Sequence, residues 1–247
     1  MDIRVIIPSA GRADCITTAI AGAALYVPES EAAAYRHHNP GLEVVTHPDR
    51  AHRNLAEKRQ DIYTRWPAVF MVDDDIEYIS RLYLPGNTRK THLEPEEARE
   101  LIQVTAENAA AAGAYLFGFN ATPNAKHYYP HKPIELTAYI NACAFGLLPS
   151  ERLYFTPRTT AAESHWLNLL NAYMHRRAWV DMRFHFAQLP NSTFFRPGGQ
   201  TAKRTMATER ADTVFLRRMF GQAVRVKRTR GDAKKIHPYQ RTIANPL

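Results

Sequence analysis

Three consecutive carboxylates, Asp73, Asp74 and Asp75, follow the apolar run Val69-Phe70-Met71-Val72 in the stretch FMVDDDIEY. Adjacent like charges repel, and a hard divalent cation with oxygen ligands relieves that repulsion. Side chains alternate along an extended segment, so Asp73 and Asp75 share one side and Asp74 points away. The pattern predicts two carboxylates aimed at one point from the C-terminal end of a buried strand. Open α/β sheets bind their ligands at that edge. A plain acidic turn is the alternative reading.

Two further groups have ligand chemistry. Pro8-Ser9-Ala10-Gly11-Arg12 follows the first apolar run and could cradle a nucleotide, although it has neither a GxGxxG nor a GK[ST] pattern. Arg53-Asn54 and Lys58-Arg59 put cations at the start of a predicted helix, against its dipole. An anionic ligand explains them; for Lys58 and Arg59 a solvated surface explains them equally well.

The elements that must position these groups follow from periodicity and punctuation. Ile3–Pro8, Leu25–Val27, Leu42–Thr46 and the run before Asp73 read as strands. Helices are expected over Ile16–Ala24, Pro28–His38 and Asn54–Trp66. This β-α-β-α-β order with short connections predicts a doubly wound α/β sheet. Farther on, a long helix is expected over Glu94–Ala112, strands over Tyr115–Phe119 and within Ala138–Leu148, and a helix over Ser164–Arg176. Trp179–Phe186 reads as one alternating strand, Glu209–Phe220 as a helix and Ala223–Val226 as a short strand.

Bulk properties narrow the class. A chain of 247 residues, 45% of them hydrophobic, suits one large α/β domain or a domain with a substantial appendage. Its formal charge of +8 suits an acidic partner such as nucleic acid. The charge concentrates late, at Arg225, Lys227, Arg228, Arg230, Lys234 and Lys235, where it can contact a phosphate backbone or remain a solvated end. Cys15 and Cys143 form no CxxC pair, which predicts neither a disulfide framework nor a cysteine zinc site. With no signal peptide or membrane span read from the sequence, the expected location is cytoplasmic, in the host if the protein is phage-encoded.

The IPSAGR strand end, the early Thr-rich segment, PESE followed by Tyr35, the Arg-Asn pair before a helix and FMVDDDI occur in the order seen in GT-A glycosyltransferases. The sequence is similar to their phage-type branch, the TET-associated glycosyltransferases, well over residues 1–80 and loosely beyond. The resemblance implies a GT-A, Rossmann-like nucleotide-diphosphosugar transferase fold with a mixed central sheet and flanking helices. It further implies a single domain over 1–247, with a donor half of about 1–120 and an acceptor half of about 121–247. A UDP-sugar or other nucleotide-sugar donor and Mn²⁺ or Mg²⁺ are implied, with Asp73 near the nucleoside and Asp75 on the metal. Pro8, Ser9, Gly11, Arg12, Arg53 and Asp74 become donor-site candidates. Glu163 is the candidate base, although the second acid of the family's pair is missing here. His185 or His237 is the candidate late metal ligand, and Gly198-Gly199 the candidate sugar or acceptor loop. The implied acceptor is a 5-hydroxymethylpyrimidine in DNA. A glycan or protein acceptor, and a non-catalytic nucleic-acid-binding protein, are the competing readings.

Overall fold

The computed structural model describes residues 1–86, 88–124, 128–190, 205–226 and 241–244. The elements are, in chain order, β1 (Arg4–Pro8), β2 (Ala24–Pro28), α1 (Ala32–His38), β3 (Glu43–His47), α2 (Leu55–Arg65), β4 (Val69–Val72) and β5 (Ile76–Arg81). They continue with α3 (Pro95–Ala111), β6 (Leu116–Phe119), β7 (Ile134–Glu135), β8 (Ala144–Leu147), α4 (Glu163–His175), β9 (Trp179–Asp181) and β10 (Phe184–Gln188). The last are α5 (Met206–Phe220), β11 (Val224–Val226) and β12 (Arg241–Ile243).

Eight strands form the main sheet in the order β3-β2-β1-β4-β8-β6-β9-β7. The first four run parallel. β8 runs antiparallel between β4 and β6, β9 is parallel to β6, and β7 is reversed. The sheet is therefore mixed. Strand order reverses at β1 and β4, since β2 and β3 lie to one side of β1 and β4 to the other. Such a reversal leaves a crevice beyond the C-terminal strand ends, and here those ends carry Ser9 and Asp73.

Strand alternation sorts the core into two layers. Val5, Ile7, Phe70 and Val72 pack with Ala98, Ile102 and Ala106 of α3. Ile6 and Met71 pack with Ile62 of α2, Trp166 and Leu170 of α4, and Leu216 of α5. With both faces covered, the inner strands are apolar throughout. Gly146 of β8 lies directly beneath Phe117, and a Cβ there would come within 1.9 Å of the ring.

Two expectations are corrected. Ile16–Ala24 contains no helix. Its backbone and hydroxyl groups bond instead to the acidic turn: Thr17 N–H donates to Asp74 O at 3.0 Å. The Thr18 hydroxyl donates to Asp73 O at 2.6 Å and accepts from Ile76 N–H at 2.9 Å. Long-range partners replace the helical ladder in a stretch of β-branched residues with weak helix propensity. The strand expected over Trp179–Phe186 is also broken. β9 belongs to the main sheet, whereas β10 pairs antiparallel with β5. The Asp181 carboxylate makes the turn between them, accepting from Arg183 N–H at 3.0 Å and from the Arg183 guanidinium at 2.7 Å.

Candidate active site

The cleft beyond β1 and β4 has a volume of about 540 Å³ and is lined by Ser9, Arg12, Lys58, Arg59, all three acids of the triplet and Glu163. The triplet divides as alternation requires. Asp74 turns toward the β1 loop, where the Ser9 hydroxyl donates to Oδ2 at 2.5 Å and Arg12 to Oδ1 at 3.1 Å. The Tyr35 hydroxyl lies 2.7 Å from Ser9 Oγ and accepts from Arg12 N–H at 3.2 Å. Since Ser9 gives its hydrogen to Asp74, Tyr35 donates to Ser9. Asp74 thus braces the β1 loop.

Asp73 and Asp75 face the other way. Gln188, at the end of β10, donates through the same Nε2 to Asp73 Oδ2 at 3.2 Å and Asp75 Oδ1 at 3.1 Å. Two carboxylate oxygens converging on one point suit a hard divalent cation whose other ligands are phosphate and water. Among the described residues no group of three or more His, Cys, Asp or Glu side chains is placed to hold a metal ion.

Arg59 joins the two sides of the cleft. Only 1% of its side chain is exposed. One terminal nitrogen donates to Glu163 Oε1 at 2.9 Å, and the other to Asp73 Oδ1 at 2.9 Å and Ala142 O at 3.0 Å. The guanidinium also lies over the Phe145 ring, 5.1 Å from its centroid. Burial pushes the Asp73 carboxyl up to about 7; Arg59 opposes the rise, while Asp75, Asp74 and Glu163 add to it. Burial likewise brings Lys58 down to about 7, against the attraction of Glu31 and Asp74. Its Nζ donates to Ser9 O at 2.7 Å.

Glu163 opens α4. The preceding N–H groups of Thr160 and Ala161 donate to the Asp212 carboxylate of α5 at 3.1 and 2.7 Å. Asn168 of α4 clamps the facing loop, accepting from Ile140 N–H and donating to Ile140 O, both at 2.9 Å. Both ends of the Glu163 wall are thus fixed to neighbouring elements.

Of the residues singled out from the sequence, Pro8, Ser9, Arg12, Asp73, Asp74, Asp75 and Glu163 line this cleft. Gly11 stands outside its lining and takes φ 66°, where glycine avoids the Cβ clash. Arg53 stands outside the lining: its side chain is 79% exposed and pairs with Glu57. Lys58 and Arg59 belong to the lining, so a solvated surface is excluded for them. His185 also does not line the cleft. It lies on β10 opposite Ser80, with Nδ1 2.8 Å from Asn120 O, and burial lowers its pKa. Arg225 is exposed on β11. His237, Gly198, Gly199, Lys227, Arg228, Arg230, Lys234 and Lys235 lie outside the described residues. No sequence motif marks Gln188, Asp212, His47 or His52. A polar residue at a strand end is the one local signal that Gln188 and His47 carry.

Sheet order and cleft together define a mixed α/β protein with a ligand cleft at the point where the strand order reverses. The chain belongs to the TET-associated glycosyltransferase family, whose sequence model matches residues 3–191. It is thus an enzyme, and the non-catalytic reading falls. Among solved structures, S. aureus TarS 1–349 is 12% identical with a TM-score of 0.47, covering 90% of this chain and 73% of its own. A CMP:2-keto-3-deoxy-manno-octonic acid synthetase, solved with CTP, is 11% identical with a TM-score of 0.42, covering 88% of this chain and 100% of its own. No residue role follows from similarities at this level. No curated protein matches the chain. Among the described residues, no helix is long and apolar enough to cross a membrane.

Proposed function

We propose that the protein transfers a sugar from a nucleotide-sugar donor to the hydroxyl of a 5-hydroxymethylpyrimidine in DNA, aided by Mn²⁺ or Mg²⁺. The observation that carries this reading is the convergence of Asp73 and Asp75 on one point of a cleft that also holds Glu163, in a chain of this family. Asp73 and Asp75 would hold the ion, which supplies Lewis-acid stabilisation of the departing diphosphate. Asp74, through Ser9 and Arg12, keeps the β1 loop shaped for the donor, and Lys58 adds a cation beside it. Glu163 accepts the acceptor hydroxyl's proton while that oxygen bonds to the anomeric carbon and the bond from that carbon to the diphosphate oxygen breaks. With Oε1 held by Arg59, Oε2 takes the proton. Residues 1–120 form the donor half in this reading, and the basic acceptor half supplies phosphate contacts. Arg210, Arg217 and Arg218 are exposed on α5, and Arg225 beyond it.

The test is a panel of nucleotide sugars incubated with hydroxymethylated duplex DNA, followed by digestion and mass analysis of the nucleosides. A base heavier by one sugar residue is expected with one donor. Asp75→Ala should reduce transfer at least about a hundredfold with an unchanged circular-dichroism spectrum. Full activity in that variant would sink the metal assignment. Transfer to glycans or proteins and none to DNA would overturn the acceptor.

A further inference from the structure

Proton transfer to Glu163 needs the acceptor hydroxyl within hydrogen-bond reach, about 2.6–3.2 Å. Glu163 does not stand out from the protein: 9% of its side chain is exposed, and Arg59 holds its Oε1. Asp75, at the metal end of the scheme, is 3% exposed. The hydroxyl of a paired 5-hydroxymethylpyrimidine is recessed as well, on a short arm at the floor of a major groove about 8.5 Å deep. Two recesses cannot bring their floors together unless part of one enters the other. A proton acceptor that worked inside the groove would have to project from the protein surface, and Glu163 does not. What remains is for the nucleotide to leave the helix, as it does for other enzymes that carry out chemistry on a base.

The cleft has room and walls for one such base. Its volume of about 540 Å³ is that of a small-molecule site. Tyr139, Asn141 and His165 line it together with Glu163 and take no part in the scheme above. All three are half-buried, so part of each stays open to a ligand. The Tyr139 hydroxyl lies 3.2 Å from Oγ of Ser164, the residue after Glu163. Its ring centroid lies 5.6 Å from that of His165. Asn168 holds both backbone groups of Ile140, between Tyr139 and Asn141, which fixes this wall beside the start of α4. Bases of any sequence stack on such rings. The Asn141 amide has no hydrogen-bond partner among the described residues and is not shut off from solvent. It carries both donors and an acceptor for a base edge.

We infer that the enzyme takes its acceptor base out of the duplex and holds it in this cleft, stacked on Tyr139 and His165 with its edge met by Asn141, so that the hydroxymethyl group reaches Glu163. This rests on the DNA-acceptor reading of the cleft.

The test is binding of the full chain to a duplex containing 5-hydroxymethylcytosine, with 2-aminopurine as the adjacent base. Extrusion unstacks the reporter, so its fluorescence should rise severalfold on saturation. An abasic site opposite the modified base removes the cost of unpairing, and the dissociation constant by anisotropy should fall about tenfold or more relative to the paired duplex. Tyr139→Ala should weaken binding of the abasic-opposed duplex about tenfold, whereas Tyr139→Phe keeps the ring and should bind as wild type does. Asn141→Ala should weaken it about fivefold. Melting temperatures without DNA show whether each variant folds. Equal affinity of wild type for the two duplexes with no rise in fluorescence overturns the inference and leaves the transferase reading intact. So does full binding by folded Tyr139→Ala. Sugar transfer to glycans or proteins and to no hydroxymethylated DNA overturns both.

Discussion

Arg59 is held between Asp73 and Glu163 with almost none of its surface in water. Removing one partner of a buried ion pair leaves the others charged and unpaired, which costs about 3–5 kcal/mol. Arg59→Ala should therefore lower unfolding free energy by about that amount in urea titration at pH 8. Asp73 gives a pH signature. Its carboxyl is raised to about 7 in the folded chain, above the unfolded value of about 3.9. The folded state therefore binds this proton more tightly between those two values. Its stabilisation is complete below about pH 4 and is lost as pH rises through 7. Several histidines with lowered pKa act in the opposite direction, so the difference between wild type and Asp73→Asn isolates the effect. Wild type should gain on the variant as pH falls from 8 to 5, measured by chemical denaturation. At this scale the acidic triplet was legible because three adjacent carboxylates need compensation. Arg59 was not distinguishable from Arg53: helix periodicity shows which cations share a face, but not which face meets the cleft.

Among the elements, β8 and α5 carry consequences that their own sequences hide. Gly146 of β8 admits the Phe117 ring across the strand. Gly146→Ala should destabilise by about 1–3 kcal/mol through overpacking, read as a lowered urea midpoint with an unchanged slope. Asp212 of α5 receives the N–H groups just ahead of Glu163. Asp212→Ala should lower kcat about ten- to hundredfold by letting Glu163 shift, with the fold retained by circular dichroism. The inner strands and the helices α2, α3 and α4 were legible, since apolar runs, caps and periodicity agree there. Asn54, for example, caps α2 by accepting from Glu57 N–H at 3.0 Å. The absence of a helix at Ile16–Ala24 is not legible locally, because the partners of Thr17 and Thr18 are more than fifty residues away. The break between β9 and β10 was hidden by continuous alternation across it.

At the scale of the whole molecule, the proposed DNA acceptor needs exposed cations, and Arg210, Arg217 and Arg218 on α5 are exposed. Replacing Arg217 and Arg218, both exposed on α5, by alanine should weaken DNA binding across sequences. The slope of log affinity against log salt should become shallower by about 0.9 for each phosphate that the variant no longer neutralises. Fluorescence anisotropy over a salt series measures this, and an unchanged slope would move the DNA surface elsewhere. The sequence by itself determined the α/β class, the parallel half of the sheet and the acidic strand end. Those depend on local propensity and on the two-residue period of a strand, both written in neighbouring residues. Only the tertiary structure decided that β8 enters antiparallel beside β4 and that Gln188 bridges Asp73 and Asp75. It alone placed Arg59 against Glu163, 104 positions away. These depend on which distant segments pack together, and a single chain's periodicity carries no record of such pairings.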